Sequence, residues 1–118
     1  MTVFVHQAEL ELGDDADERA PGGAVTVALC GHWDHDGTCR WPHHSQLDVF
    51  SGTSRLRTVF VAPERDAAEV RRRIDAALAD NGSWVVQASG PVDPTRQEQE
   101  LGERLAAPPE DEAPEDEA

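Results

Sequence analysis

Lysine is missing from this chain of 118 residues; all ten basic residues are arginine. With alanine, glycine and aspartate abundant, that replacement fits a high-GC coding bias or a salt-rich cytoplasm, and it identifies no activity. Aromatic residues are scarce at 5%, and the hydrophobic fraction is 38%, low but sufficient for a small globular core. No apolar run approaches the roughly 20 residues that a bilayer span needs. Met1 leads directly into strand-like sequence, without the basic segment, apolar stretch and small-residue cleavage site of a secretory signal. These absences point to a cytoplasmic protein with no membrane partner. Cysteine is limited to Cys30 and Cys39, which in a reducing compartment are expected as thiols or metal ligands, although their spacing also allows a bridge.

Several chemical signatures are missing as well. Neither Gly-x-Gly-x2-Gly nor Gly-x4-Gly-Lys occurs, which disfavours a nucleotide cofactor. The His-Glu-x2-His helix of zinc proteases is absent, as is the His-x-Glu with Pro-Cys-x2-Cys of zinc deaminases. Acidic residues number 24 and the formal net charge is −14. Residues 1–107 alone hold 18 acids against 10 arginines, so the body itself repels a phosphate backbone or an anionic lipid surface. Nucleic acid is therefore disfavoured as a partner: Trp33, Arg40 and Trp41 are of the types that stack on bases, but the two tryptophans are expected instead to shield the metal loop or close the edge of a small core.

What the chain does contain is concentrated. Six of its seven cysteine and histidine residues fall within fifteen consecutive positions: Cys30, His32, His35, Cys39, His43 and His44. Thiolate and imidazole bind borderline-soft divalent ions readily, so this run is a candidate metal centre, with zinc the expected ion. The turn signal Asp36-Gly37 folds the segment back, bringing Cys39 toward Cys30 with His43 four residues later. A tetrahedral set of Cys30, Cys39, His43 and one of His32 or His35 is sterically sensible. Adjacent side chains in extended backbone point apart, so His43 and His44 are not expected on one ion. A small body buries a modest share of its surface, and a bound metal would add to its stability.

The segments around this run read as a small α+β domain: a mainly antiparallel sheet of four or five strands, one packed helix, and the Cys/His-rich loop between strands. Thr2 to Leu12 alternates as a strand, with a parity change at Gln7 that suggests a bulge. Residues 24–30 alternate as a second strand with Val25, Val27 and Leu29 on one face. Residues 31–46 are expected as the loop, 47–50 as a short strand, 55–62 as a strand apolar on both faces at its end, and 84–88 as another. Between Asp66 and Asn81-Gly82, Ala67, Val70, Ile74, Ala77 and Leu78 share one helical face. Arg71, Arg72 and Arg73 read there as a solvated face, with Glu69–Arg73 and Arg71–Asp75 as i,i+4 pairs. Thr95 and Glu98 form a capping box for a last, weakly docked helix. Residues 1–107 make one domain, and residues 108–118 an acidic tail with too little apolar content to order.

Function follows in outline: a zinc-binding interaction or regulatory module, with a protein as its partner. A small metal- or thiol-dependent enzyme using the same loop is the alternative, because a cysteine beside an imidazole can become a nucleophilic thiolate.

Overall fold

The computed structural model describes residues 2–13, 17–30, 41–50, 53–79 and 84–106, with backbone alone at Cys30. The elements in order are β1 (Thr2–Leu12), α1 (Ala20–Cys30), β2 (His43–Phe50), β3 (Thr53–Ala62), a single 3-10 turn (Glu64–Asp66), α2 (Ala67–Ala79), β4 (Trp84–Val92) and α3 (Arg96–Ala106). The four strands form one antiparallel sheet in the order β2-β3-β1-β4. Two β-α-β units thus interleave, each placing one strand between the two strands of the other. This is the split β-α-β, or ferredoxin-like, plan. Such a plan hosts many unrelated activities and by itself assigns none.

Strand periodicity sorts the side chains into two layers. Along β1, Phe4, His6, Ala8, Leu10 and Leu12 share the face covered by helices, and the register pairs Phe4 with Phe60, His6 with Thr58 and Ala8 with Leu56. Those β1 and β3 residues close over Val25 and Leu29 of α1 and Val70, Ile74 and Leu78 of α2 to make the main core. Val3, Val5, Val59 and Val61 lie on the opposite face, and Val5, Val59 and Val61 are buried as well. The parity change read at Gln7 therefore marks the place where β1 stops being covered on both sides. The register irregularity lies against β4, where Glu9 faces Ala88 and Leu10 faces Val86. The additional residue is Gln87 of β4, not a residue of β1.

Helix α3 supplies the second cover. Gly102 is buried, and a Cβ there would sit 2.5 Å from Val3 Cγ1, so the helix approaches the sheet as closely as its backbone allows. Arg57 fixes its start: Nε and Nη2 each donate to a Glu98 carboxylate oxygen at 2.7 Å, while Nη1 reaches Gln7. The capping box is formed in both directions, Thr95 N–H to Glu98 Oε1 and Glu98 N–H to Thr95 Oγ1.

The Arg57 hydrogen bond, helped by that from the Thr95 N–H, holds the Glu98 carboxyl below the ordinary glutamate range. A carboxyl depressed in the folded state contributes stability above its unfolded pKa of about 4.3, and loses it as pH falls through the folded value. Glu98→Gln should therefore cost about 1 to 2 kcal/mol near neutral pH. The difference from the parent protein should close below about pH 4, as read by urea melts across pH. An equal cost at neutral and acid pH would show that the ion pair does not hold α3.

Four expectations are corrected. Residues 24–30 are helix, not strand: Pro21, Val25 and Leu29 recur every fourth residue and are buried, whereas Val27 is exposed. Asp17 starts that helix by accepting the Arg19 N–H on its carboxylate and the Ala20 N–H on its carbonyl, both at 2.9 Å. Residues 43–46 belong to β2 rather than to the loop. Strand β4 runs on past residue 88 to Val92, through Gly90 and Pro91, which an edge strand tolerates; among the described residues it is bonded to β1 alone. Finally, two helices rather than one pack on the main face of the sheet. The acidic tail, residues 108–118, lies outside the described residues.

Candidate metal centre

Strand β2 begins where the Cys/His-rich segment ends, and its pleat separates the two adjacent histidines. His43 pairs with Phe60 on the helix-covered face and is buried; His44 pairs with Val59 on the other face and is exposed. The expectation that the two do not share an ion therefore has a geometric basis. The His43 ring is fixed from two sides. Its Nδ1 donates to the Trp41 carbonyl at 3.1 Å, and Nε2 stands 3.1 Å from the hydroxyl of Thr26 on α1. A ring nitrogen donating to a main-chain carbonyl is the arrangement that orients histidine for coordination through its other nitrogen.

Thr26 matters because of where it lies on α1. One helical turn beyond it, at i+4, is Cys30, the last residue of the helix. The Thr26–His43 contact thus joins α1 to the first residue of β2 one helical turn before Cys30. Between α1 and β2 opens a cavity of about 580 Å³, bordered by Arg19, Gly22, Thr26, His43 and Ser45. His32, His35 and Cys39, like Trp33 and Arg40, lie outside the described residues. Among the described residues no three of His, Cys, Asp and Glu are grouped as a metal set.

Trp41 is part of the core, as expected, rather than a stacking residue. It is 2% exposed, its indole N–H donates to Asp66 at 3.3 Å, and the Arg73 guanidinium lies 4.8 Å above its ring. Asp66 is thereby engaged by Trp41 and belongs to the 3-10 turn ahead of α2.

A second polar group was not singled out from the sequence: His6, Arg71 and Asp75. His6 is 3% exposed, with Nε2 2.8 Å from Asp75 Oδ1 and Nδ1 3.1 Å from Arg71 Nη1. Arg71 also donates to the Val5 carbonyl at 2.9 Å and lies over the rings of Phe4 and Phe60. Burial works against its charge and lowers its pKa from the usual guanidinium range. The solvated arginine face is thus corrected: Arg72 faces solvent and Arg73 pairs with Glu69, but Arg71 turns inward, and Asp75 bonds His6. The available signal was the inward parity of His6 between Phe4 and Ala8, opposite a helix carrying Arg71 and Asp75 one turn apart. The group holds one imidazole and one carboxylate, which is too few ligands for a structural metal site.

Compared with known proteins, the chain matches no family model, no curated protein and no solved structure.

Proposed function

We propose that the chain binds one zinc-class ion through Cys30, Cys39, His43 and one of His32 or His35, and acts in the cytoplasm as an interaction or regulatory module. The observation that supports this reading is the approach of α1 to β2 at Thr26 and His43, one helical turn before Cys30, an approach of two packed elements that does not need the Thr26 hydroxyl to stay on Nε2. The twelve residues between Cys30 and His43 connect two elements that touch, and such a short connection can deliver its thiolate and imidazoles to a common centre at little further loop-closure cost. His43 supports the reading through its fixed ring, with Nε2 as the coordinating atom in place of its contact with Thr26. His44, on the opposite pleat, is left out of the ligand set. Four protein ligands make a closed, structural site, and this favours binding over turnover. Among the described residues no helix is long and apolar enough to cross a membrane.

The test is elemental analysis of protein purified without an affinity tag, normalised to folded chain. About one zinc per chain is expected, lost in Cys39→Ser and His43→Ala and kept in His44→Ala. Cys39→Ser should also lose thermal stability, because metal binding and folding are linked. Absence of stoichiometric metal, with a Cys39→Ser melting curve unchanged from the parent, would sink the proposal. So would a Cys30–Cys39 disulfide found by mass spectrometry.

A further inference from the structure

His6 is the most deeply buried histidine among the described residues, and the candidate metal centre leaves it unused. Arg71 and Asp75, one turn apart on α2, hold its two ring nitrogens, at 3.1 Å from Nδ1 and 2.8 Å from Nε2. They are also the charged groups that face it: β3 and β4 set Thr58 and Pro91 opposite, and neither ionises. Neither His6 nor its two partners belongs to the proposed zinc ligand set, so the group stands or falls apart from that site.

Arginine carries only donors and keeps its charge, so His6 Nδ1 accepts from Arg71 and Nε2 bears the hydrogen that bonds Asp75. The ring held between them is neutral. A second ring proton can go only on Nδ1, the atom that holds the guanidinium. Imidazolium would then face guanidinium at 3.1 Å, donor against donor and cation against cation, a contact that burial makes more costly. Arg71 cannot shed a proton to relieve it. Asp75 pulls the other way, because a carboxylate bonds imidazolium more strongly than it bonds a neutral ring. The guanidinium also has a way out. Burial already works against its charge where it lies, and the half-exposed Asp75, four residues along α2, offers it a carboxylate at the surface.

We propose that His6 and Arg71 form an acid-operated latch on the seam between β1 and α2: protonation of Nδ1 expels the guanidinium to solvent while the imidazolium stays on Asp75. Closed, the latch sets Arg71 on the Val5 carbonyl and over the rings of Phe4 and Phe60. Open, it leaves that carbonyl to water and uncovers both rings. The pairing of β1 with β3 and β4 needs no part of Arg71, so acid loosens the seam and leaves the sheet in place. The two-state element is one side chain, and a single proton decides between its positions.

The test follows the full chain by nitrogen-15 NMR of its histidine and arginine side chains, from about pH 8 to about pH 5, the span in which imidazole ordinarily changes charge. At the upper end the His6 shifts should be those of a ring protonated at Nε2 alone. As Nδ1 gains its proton, the Arg71 guanidinium protons should exchange with water at least about tenfold faster relative to those of the exposed Arg72, and the two changes should share one midpoint. His6→Gln keeps an acceptor and a donor and does not titrate, so in that variant the exchange ratio should stay constant across the range. A His6 ring that becomes cationic while Arg71 exchange is unchanged overturns the proposal, and so does a ring whose Nδ1 stays unprotonated to the acid end. The parent chain alone decides these two outcomes, whatever the stability of the variant. Equal acceleration at Arg71 in His6→Gln also overturns it, because the loss of other ion pairs would then be what opens the seam.

Discussion

Trp41→Ala should destabilise the protein by about 3 to 5 kcal/mol in urea denaturation, among the largest losses expected from one substitution. The indole is one of the largest side chains buried to this degree, within the cluster that joins α1, α2 and the sheet. Its removal leaves a cavity that neighbours on three elements cannot all collapse into. Two directional contacts go with it: the N–H bond to Asp66 and the Arg73 guanidinium above the ring. The cation–π contact alone is worth about 0.5 to 2 kcal/mol. Trp41→Phe keeps most of the volume and a ring for Arg73, and should cost clearly less. Because the buried indole anchors the main chain whose carbonyl orients His43, the proposed zinc site should weaken along with stability in the alanine variant, a linked loss that a distant core substitution such as Ile74→Ala would show only through unfolding. A cost under about 1 kcal/mol would mean that the side chain is not the buried anchor described.

That residue shows how the sequence reads and misreads. In sequence Trp41 stands among histidines, cysteine and arginine, and its core place was expected only because tryptophan is ordinarily buried; the approach of α2, with Asp66 and Arg73 against the indole, supplies that core. Strand β3 and helix α2 were legible because their apolar spacing fits one period and not the other. Residues 24–30 were not, since Val25 and Leu29 are two steps apart in a strand's alternation and one turn apart in a helix. The exposure of Val27 is a tertiary fact that separates the two. Pro21-Gly-Gly23 has the composition of a turn, yet Pro21 is tolerated in a first helical turn, where its missing N–H has no helical partner to lose. The glycines weaken α1 by about 1 kcal/mol each relative to alanine, so its helicity rests on packing of Pro21, Val25 and Leu29. At the candidate metal centre, the separation of His43 from His44 followed from strand alternation. Thr26 did not, because a threonine on a segment read as strand gives no sign of reaching across to β2.

Arg71→Ala should cost about 2 to 4 kcal/mol, although arginine on a helix surface is ordinarily replaceable within a few tenths. Arginine has no acceptor, so in its contact with His6 the ring Nδ1 accepts and Nε2 carries the proton donated to Asp75. Guanidinium, imidazole and carboxylate then form one chain of hydrogen bonds across β1 and α2, anchored at the Val5 carbonyl. Removing Arg71 strands two acceptors, His6 Nδ1 and the Val5 carbonyl, and uncovers the rings of Phe4 and Phe60. Lysine cannot restore the planar fork, so Arg71→Lys should recover only part of the loss. Asp75, whose side chain is 48% exposed, should matter less, and Asp75→Ala should cost about 1 kcal/mol because water can replace the carboxylate. The decisive measurement is the double-mutant cycle of Arg71→Ala with His6→Leu. Once the imidazole is replaced by an apolar group, its stranded acceptor disappears, and the double variant should be more stable than the sum of single losses by about 1 to 2 kcal/mol. Strict additivity would mean that Arg71 and His6 do not share the hydrogen bond described, and that the inward turn of Arg71 is held by the two phenylalanine rings alone.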